Sequence, residues 1–360
     1  MHTTAPFSIP LDERLSALVQ LGRVMSAVAD GQAWPGHSVG LNEAEYQALD
    51  RAVCAARQFN GWFTEENVRH AFGAWGTALQ DRSLRAWSAA YPHLWQPRTP
   101  VRTVGAVLAG NVPLVGLHDV LCIWLSGHAA RVKTSAQEPE LLPHLVGTLE
   151  RFAPQSAGQV LFMPDKLGPV DAVIATGSTN TARYFEHYFG HLPRIVRQTR
   201  VSVAVLDGTE EEADLQALGE DVFRYFGLGC RNVSKVFVPR EFSLDRLFEA
   251  LYPWHPVAQH NKYGNNYEYT RALWLLDGVT FLDNGFLLLK EEEGMASPVA
   301  TLFFERYSDR AALDVRLSGV RHMLQCIVSK RDIPFGNAQH PGLADYADGA
   351  DTMAFLLALA

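Results

Sequence analysis

Cys230 is the residue of this sequence best suited to act as a nucleophile. It lies in residues 226–232 (FGLGCRN), directly before the apolar, strand-like run VSKVFVP. The glycine before it lets a backbone or a substrate come close, and the neighbouring Arg231 favours the thiolate over the thiol. Arg231 can equally be a surface ion-pair residue. Because a lone cysteine is more often a buried and inert residue, the rest of the chain must decide between the two interpretations.

Composition excludes several classes of function. The chain has 360 residues, of which 48% are hydrophobic, so it can bury a large core and is expected to form two domains. The net charge of -8 gives no basic excess, which argues against nucleic-acid binding. No signal peptide and no apolar run of membrane-spanning length is recognised, so we expect a cytoplasmic protein.

The cysteines are too far apart for a metal site or a disulfide scaffold. We therefore predict no metal. The three others besides the candidate nucleophile fall in apolar patterns and are predicted to be core residues: Cys54, Cys122 and Cys326.

The order of apolar segments predicts the fold class. Residues 11–95 have helical spacing, and from residue 101 strands and helices alternate. This alternation is typical of an α/β fold, a parallel sheet with helices on its faces, which binds ligands at the carboxyl ends of its strands. Strands are predicted at 101–109, 129–133, 170–175 and 201–206, helices at 113–126, 138–152, 179–189 and 210–225, and further strands at 235–238, 272–276, 299–304 and 323–328.

Three predicted turns carry polar residues at strand ends. Asn111 follows the first strand, and Lys133-Thr-Ser135 ends the second. Thr176-Gly-Ser178 follows the third and opens a helix, where unpaired N–H groups suit a diphosphate. The GxGxxG fingerprint is absent, and each turn by itself is more often an ordinary helix cap or a solvated lysine.

The order of these turns with the cysteine resembles the aldehyde dehydrogenase superfamily. More narrowly, it resembles the acyl-CoA reductase family, which includes the fatty-acid reductase of bacterial luminescence systems. The resemblance extends over residues 100–350. Its anchors are residues 110–114 (GNVPL), 133–135 (KTS), 175–179 (ATGST), 229–234 (GCRNVS), 261–267 (NKYGNNY) and 345–353 (DYADGADTM).

The resemblance implies an aldehyde-dehydrogenase-like fold: a Rossmann-type cofactor domain plus an α/β catalytic domain, with a helical N-terminal region. It divides the chain into a helical region that packs on the cofactor domain, an NAD(P)-binding domain, a catalytic domain with the nucleophile, and a C-terminal segment that returns to the cofactor or oligomerisation region. These four segments are predicted at residues 1–100, 101–226, 227–330 and 331–360.

The resemblance also implies roles for site residues. Cys230 matches the nucleophile that attacks a thioester carbonyl, and the Asn111 amide matches the oxyanion-hole donor that acts with the Cys230 N–H. Lys133 matches the lysine that holds the adenosine ribose. A glutamate of residues 291–293, expected to be Glu293, matches the one that holds the nicotinamide ribose. The remaining cofactor contacts are predicted at Ser135, Thr176, Gly177 and Ser178.

Two departures from the wider superfamily point to the reaction. Hydrolytic aldehyde dehydrogenases carry a glutamate that activates water, whereas the equivalent stretch here, residues 195–201 (IVRQTRV), has no carboxylate. Water should therefore attack the acyl-enzyme poorly. Ala136 stands where many NAD-using relatives have a glutamate, which leaves room for a 2′-phosphate and favours NADPH, with NADH as the alternative.

We therefore predict an acyl-CoA reductase that converts a long-chain acyl-CoA to the aldehyde with NADPH. One alternative is an NAD-linked, CoA-acylating aldehyde dehydrogenase. Another is an acyl-shuttling subunit with little reductase activity. The resemblance further implies acyl-transferring or acyl-activating protein partners and a homo-oligomer. The polar stretch that follows the catalytic strand has two possible roles. Its side chains could contact CoA or relay protons, or they could form structural hydrogen bonds. The residues concerned are His255, His260, Lys262, Tyr263 and Asn265.

Overall fold

The chain forms two compact units. The computed structural model describes residues 9–96, 100–177 and 179–359, and for residues 179–182 only the backbone. One unit is Met1–Gln198 together with Gly342–Ala360, and the other is Thr199–Pro341. The four functional segments predicted from the sequence, with boundaries at residues 100, 226 and 330, stay a prediction.

Helices form the N-terminal part of the first unit. Two of them begin at polar caps: the Asn42 side chain accepts the amide of Glu45 at 2.9 Å, the Glu45 carboxylate accepts the amide of Asn42 at 2.9 Å, and Thr64 caps the next helix. Such reciprocal bonds satisfy amides that have no partner inside the helix. The helices are α1 (Leu11–Ala29), α2 (Glu43–Phe59), α3 (Glu65–Ala78) and α4 (Asp81–Ala89).

A parallel five-stranded sheet follows in the same unit. Its strands are short, and two of them, residues 103–107 (TVGAV) and 172–176 (AVIAT), are apolar and largely buried, as expected where helices cover both faces. The strand order is β3-β2-β1-β4-β5. The elements are β1 (Thr103–Val107), α5 (Leu117–Leu125), β2 (Ala129–Lys133), α6 (Leu141–Phe152), β3 (Val160–Phe162), β4 (Ala172–Thr176), α7 (Thr179–Phe189) and β5 (Arg194–Arg197).

The register of this sheet brings three strand ends level. Val107 pairs with Lys133 on one side and with Ala175 on the other. The chain runs from β1 to one neighbour and later to the other, so the strand order reverses at β1. Ligands of open parallel sheets bind at such a point, beyond the carboxyl ends of the strands.

The second unit contains a six-stranded sheet of order β11-β6-β7-β10-β9-β8, parallel except for the short edge pair β8–β9. In the part of the chain that the structure describes, no helix combines the length and the apolar character needed to cross a membrane. The elements are β6 (Val201–Val205), α8 (Glu212–Phe223), β7 (Val233–Pro239), α9 (Leu244–Leu251), α10 (Asn261–Leu276), β8 (Leu282–Asp283), β9 (Leu288–Glu291), β10 (Thr301–Tyr307), α11 (Arg310–Gly319) and β11 (Leu324–Val328).

The last segment returns to the first unit and ends in α12 (Thr352–Leu357). Tyr346 anchors it, because its hydroxyl accepts the indole N–H of Trp87 at 2.9 Å and bonds the hydroxyl of Tyr91 at 2.7 Å. Tyr91 in turn donates to Asp351 at 2.8 Å. The 345–353 motif thus ties the tail to the N-terminal helices.

One strand prediction was wrong. The apolar run Ala272-Leu-Trp-Leu-Leu276 forms the last turns of α10 rather than a strand. A short apolar run does not distinguish the two states by periodicity. Alanine and leucine favour helix, and the run lacks the β-branched residues that favour strands.

The prediction for the cysteines was right for Cys122 and Cys326, which are buried, and wrong for Cys54, which is exposed. The buried face of α2 contains Leu49, Val53 and other residues spaced three or four apart. Cys54 follows Val53 directly, and adjacent residues of a helix point in different directions. Its thiol therefore lies outside the core.

Candidate active site

Cys230 lies in a tight turn that leads into β7. The amide of Asn232 donates to the carbonyl of Gly229 at 3.0 Å, and the Cys230 side chain is half-buried. The buried Ser202 of β6 donates its hydroxyl to the carbonyl oxygen of Cys230 at 2.8 Å. This bond fixes the peptide plane that follows the cysteine.

Asn232 is a second anchor of this turn. Its side-chain oxygen accepts the amide of Gly229 at 2.8 Å. Its side-chain nitrogen donates to the carbonyls of Asp221 at 3.1 Å and Arg224 at 2.8 Å, at the end of α8. The asparagine is buried, so these bonds satisfy backbone groups that water does not reach. The turn is therefore held from both sides.

Arg231 ties the turn to a third segment. Its Nε donates to the carbonyl of Ala338. The amides of Gly336 and Ala338 donate to the buried carboxylate of Asp221 at 2.7 and 2.8 Å. Burial raises the pKa of Asp221 to about 6, against the lowering effect of the two amides and of Arg231. The guanidinium therefore helps to hold the backbone around Cys230.

Backbone strain is concentrated near the predicted catalytic residues. Tyr225 and Phe226 lie shortly before Cys230, and Leu114 lies three residues after Asn111. A non-glycine residue in the left-handed region costs about 1–3 kcal/mol and persists where the surroundings enforce it, often at functional sites. Among the described residues, such positive φ angles occur at Leu114, Tyr225, Phe226, Ala300 and Asp348.

The glutamates of residues 291–293, at the end of β9, differ in their contacts. The Glu292 carboxylate accepts the Lys290 ammonium at 2.6 Å and the amides of Glu293 and Gly294 at 2.9 and 3.3 Å. The hydrogen bond from Lys290 lowers the pKa of Glu292 most, with Gly294 next. Glu292 therefore caps its own turn. The Glu293 side chain is exposed and has no hydrogen-bond partner among the described residues.

A buried lysine supports this loop from below. Lys235 of β7 is fully buried, and its ammonium donates to the carbonyls of Glu292 at 2.7 Å and Glu293 at 3.0 Å. It also pairs with the carboxylate of Glu305 at 2.7 Å. Burial lowers the pKa of Lys235, and Glu305 opposes that effect. The strand that begins after Cys230 thus also holds the loop that carries Glu293.

In the first unit, Asn111 lies in the turn after β1, with its side chain exposed. The carbonyl of Gly110 accepts the side-chain amide of Asn60 at 3.0 Å. A Cβ atom on Gly110 would lie 2.6 Å from the side chain of Ser135. Glycine is therefore required for this turn to pack against the loop after β2.

The predicted ribose contact Lys133 ends β2, and its ammonium donates to the carbonyl of Asp165 at 2.7 Å. The hydroxyl of Ser135 accepts the amide of Gln137 at 3.2 Å, which closes the start of the next loop. Ala136 and Gln137 are exposed. The side chain after Ser135 is thus accessible to a ligand.

Thr176 and Gly177 are half-buried at the end of β4, and α7 begins at Thr179. Ser178 lies outside the described residues. A helix N-terminus at this position is the arrangement that the sequence predicts for a diphosphate contact.

Each unit brings together its own predicted residues. Asn111, Lys133 and Gly177 lie at level strand ends of the first unit. Cys230 and the loop that carries Glu293 belong to the second unit, in which the Ser234 hydroxyl also donates to the Met295 carbonyl at 2.6 Å. The joint action of Asn111 and Cys230 stays a prediction.

The polar, aromatic stretch after Cys230 is helical. Tyr263 is buried and donates its hydroxyl to the carbonyl of Phe286 at 3.0 Å, which is a structural bond. The ring of His260 stacks on Phe226, with centroids 4.3 Å apart. His255 stacks on the exposed Tyr252 in the same way, with centroids 4.9 Å apart.

A pocket with about 320 Å³ of empty space, part of it open to solvent, adjoins the Cys230 turn in the second unit. Gly227 and Val233, on either side of that turn, line it. Many of the residues that line it are apolar, but most of its accessible surface is polar, and the hydroxyl residues Ser234, Ser297 and Thr301 belong to its lining. Other lining residues are Phe223, Phe226, Tyr263, Leu287, Val299 and Ala300.

The sequence matches the acyl-CoA reductase (LuxC) family over residues 44–251, which is more than half of the chain. The chain belongs to the acyl-CoA reductase family. No curated protein matches the chain as a whole. Membership in the acyl-CoA reductase family makes the protein an oxidoreductase that acts on acyl or aldehyde groups.

Solved structures of aldehyde dehydrogenases share the fold. Indole-3-acetaldehyde dehydrogenase AldA of P. syringae has 15% identity and a TM-score of 0.57, over 86% of this chain and 70% of that one. Aldehyde dehydrogenase 21 of Physcomitrella patens has 12% identity and a TM-score of 0.59, over 90% and 74%. The Bacillus cereus enzyme has 13% and 0.58, over 91% and 73%. The predicted fold class is confirmed.

Sequence reasoning about this acyl-CoA reductase family member missed three supporting residues. Ser202 and Lys235 are polar positions inside strands, and Glu138 has a buried carboxyl group in the loop after β2. A polar residue at a position that the strand pattern predicts to be buried was the available signal, because buried polar groups need a partner.

Proposed function

We propose that this protein reduces an acyl-CoA to the aldehyde with NADPH through an acyl-enzyme on Cys230. The observation that carries the proposal is the turn around Cys230. Three separate segments anchor it, through Ser202, Asn232 and Arg231, in a chain of the acyl-CoA reductase family. A nucleophile acts best when its backbone is held in one geometry.

In the proposed reaction the Cys230 thiolate attacks the thioester carbonyl, the new C–S bond forms, and CoA leaves as the thiol after taking up a proton. When bound, the dihydronicotinamide supplies a hydride to the acyl carbon. The Asn111 amide and the Cys230 N–H stabilise the oxygen as it becomes negative, a contribution of about 3 kcal/mol for one donor. Cleavage of the C–S bond then releases the aldehyde and restores the thiolate.

The cofactor proposal is supported by the first unit. The strand order reverses at β1, and Lys133 and Gly177 lie at the adjacent strand ends. The structures of AldA of P. syringae and of a Bacillus cereus aldehyde dehydrogenase are complexes with NAD+. Ala136 is exposed and offers no carboxylate to repel a 2′-phosphate, which favours NADPH over NADH.

Reduction is favoured over hydrolysis by the residues around Val196. The stretch has no carboxylate to activate water. Arg197, at the end of β5, is buried. Its guanidinium pairs with Asp119 and donates to Thr352 at 2.7 Å. A guanidinium held in this way does not remove a proton from water. The acyl group on Cys230 is therefore left for hydride or for CoA.

The acyl chain is proposed to enter the pocket beside the Cys230 turn. The pocket is partly open to solvent and its enclosed part is smaller than a typical ligand pocket, so a long chain extends beyond it. Substituting Ala300 by phenylalanine should exclude long chains more than short ones. Rates with acetyl-, octanoyl- and palmitoyl-CoA check this, and equal losses for all three would contradict the placement.

The decisive experiment follows the acyl group. The purified protein is incubated with radiolabelled palmitoyl-CoA, with and without NADPH, and protein-bound label and aldehyde are measured. We expect a covalent adduct that NADPH discharges to aldehyde, that persists in Cys54→Ala and that is absent in Cys230→Ala. Cys54 is the matched control because its thiol is exposed. An adduct of equal amount in Cys230→Ala contradicts the mechanism, and an adduct without aldehyde indicates an acyl-shuttling subunit.

A further inference from the structure

Glu138 is a buried carboxyl group in the loop that follows β2. The residue is 3% exposed. One carboxyl oxygen accepts the amide of Leu114 at 2.8 Å, and the other has no hydrogen-bond partner among the described residues. The Glu138 amide donates to the carbonyl of Ser135 at 3.0 Å, which closes the loop that carries it. A half-satisfied buried carboxyl group is unusual enough to require an explanation.

Leu114, whose amide Glu138 accepts, is the last residue of the turn that carries Asn111. This turn starts at Gly110, whose carbonyl is held by Asn60 at 3.0 Å. It ends at Leu114 with φ of 59°, a left-handed angle that a leucine does not adopt without support. Asn60 and Glu138 therefore hold the two ends of the Asn111 turn.

The surroundings of Glu138 favour the neutral acid. Burial raises the pKa of Glu138 to about 8, and the amide of Leu114 is the one group that opposes this effect among the described residues. Charged neighbours along the loop are engaged elsewhere: Lys133 donates to the Asp165 carbonyl at 2.7 Å, and Glu140 lies 3.8 Å from His144.

We propose that Glu138 is a positioning residue for Asn111, and that it fulfils this role as a neutral carboxylic acid. The neutral acid accepts the Leu114 amide and keeps the strained turn closed. The ionised form would place an uncompensated charge in the interior, and the turn would open to hydrate it. The inference rests on the proposed function, in which the Asn111 amide binds the developing oxyanion.

The test compares reduction of palmitoyl-CoA by NADPH in the full-length wild type and in four variants: Glu138→Gln, Glu138→Ala, Glu140→Gln and Asn111→Ala. Rates are measured from about pH 6 to about pH 9.5, where the titration should be visible. Circular dichroism and urea unfolding show that each variant is folded. Glu140→Gln is the matched control, because Glu140 is exposed and two residues away.

We expect Glu138→Ala to lower kcat about tenfold with KM for NADPH changed less than about twofold, since a displaced donor affects the transition state more than cofactor binding. Glu138→Gln should recover most of kcat, because its amide oxygen also accepts the Leu114 amide. In the wild type and in Glu140→Gln, kcat should fall above about pH 8 as Glu138 ionises. In Glu138→Gln this fall should be absent.

Two results overturn the inference. One is a folded Glu138→Ala with the wild-type kcat, and the other is a Glu138→Gln profile that falls at alkaline pH as the wild type does. If Asn111→Ala itself keeps its rate, the proposed function has failed at the oxyanion hole, and the two failures are thereby distinguished.

Discussion

The hydroxyl of Ser202 donates to the carbonyl oxygen of Cys230 at 2.8 Å, and the same oxygen atom of Ser202 lies 3.0 Å from the thiol of Cys326. Both contacts are remote in sequence, since Ser202 lies on β6 and Cys326 on β11. The backbone of the candidate nucleophile is therefore held by the sheet itself and not by its own loop alone.

Replacing Ser202 by alanine should slow acylation of Cys230. The partly buried hydrogen bond to the Cys230 carbonyl would be lost, which costs about 1 kcal/mol, and the turn would relax. We expect single-turnover acylation by palmitoyl-CoA to slow about tenfold. Ser318→Ala is the control, because that exposed hydroxyl bonds, among the residues that the structure describes, only to the Asp314 carbonyl in its own helix. Equal rates in the two variants would show that the bond does not matter.

Lys235→Met should destabilise the second unit and weaken cofactor binding. The change leaves two carbonyls and the Glu305 carboxylate without the buried ammonium, and we expect a loss of about 2–4 kcal/mol in the free energy of unfolding. Because the carbonyls of Glu292 and Glu293 are released, KM for NADPH should rise. Urea unfolding and steady-state kinetics measure both effects. A double change with Glu305→Leu should recover part of the stability but not the KM.

Ala136→Glu should change the cofactor preference. A carboxylate at this exposed position would repel a 2′-phosphate, and kcat/KM for NADPH should fall by at least about tenfold relative to NADH. Gln137→Glu, at the next exposed position, controls for the added charge. An unchanged ratio in Ala136→Glu would show that the 2′-phosphate is bound elsewhere.

The stability of the protein should depend on the ionisation of Asp221. Its pKa is about 6 in the folded chain and near 3.8 when unfolded, so the folded state retains a proton that the unfolded state loses. The free energy of unfolding therefore falls as pH rises through this window, by about 1.4 kcal/mol per pH unit. Asp221→Asn should remove this term.

Urea titrations at about pH 4 and about pH 7 test the assignment. The stability of wild type relative to Asp221→Asn should drop by about 2–3 kcal/mol between the two conditions. A constant difference between the two proteins would mean that Asp221 is already ionised at the lower pH.

The sequence predicted the elements that depend on local pattern. The mainly apolar strands β1, β4 and β6 were recognisable because parallel strands are apolar on both faces. The strand prediction for Ala272–Leu276 was wrong because these residues suit a helix equally well. The core prediction for Cys54 was wrong because a shift of one residue along a helix changes which side chain faces the core.

The supporting residues of the site could not be read from local pattern. Ser202 and Cys230 are 28 residues apart, and Glu138 and Leu114 are 24 apart. Which buried polar group meets which backbone atom is determined by sheet order and register. A single sequence indicates that a partner is needed, but the identity of the partner follows from the assembled sheet.

The return of the chain to its first unit has a consequence for biosynthesis. The core of that unit includes Thr352, Met353 and Leu356 of α12, and the Leu356 carbonyl bonds the buried His128 at 3.0 Å. A ribosome completes the entire second unit before these residues emerge. The second unit can therefore fold during translation, whereas the first must wait, partly formed, until the segment that contains α12 has been made.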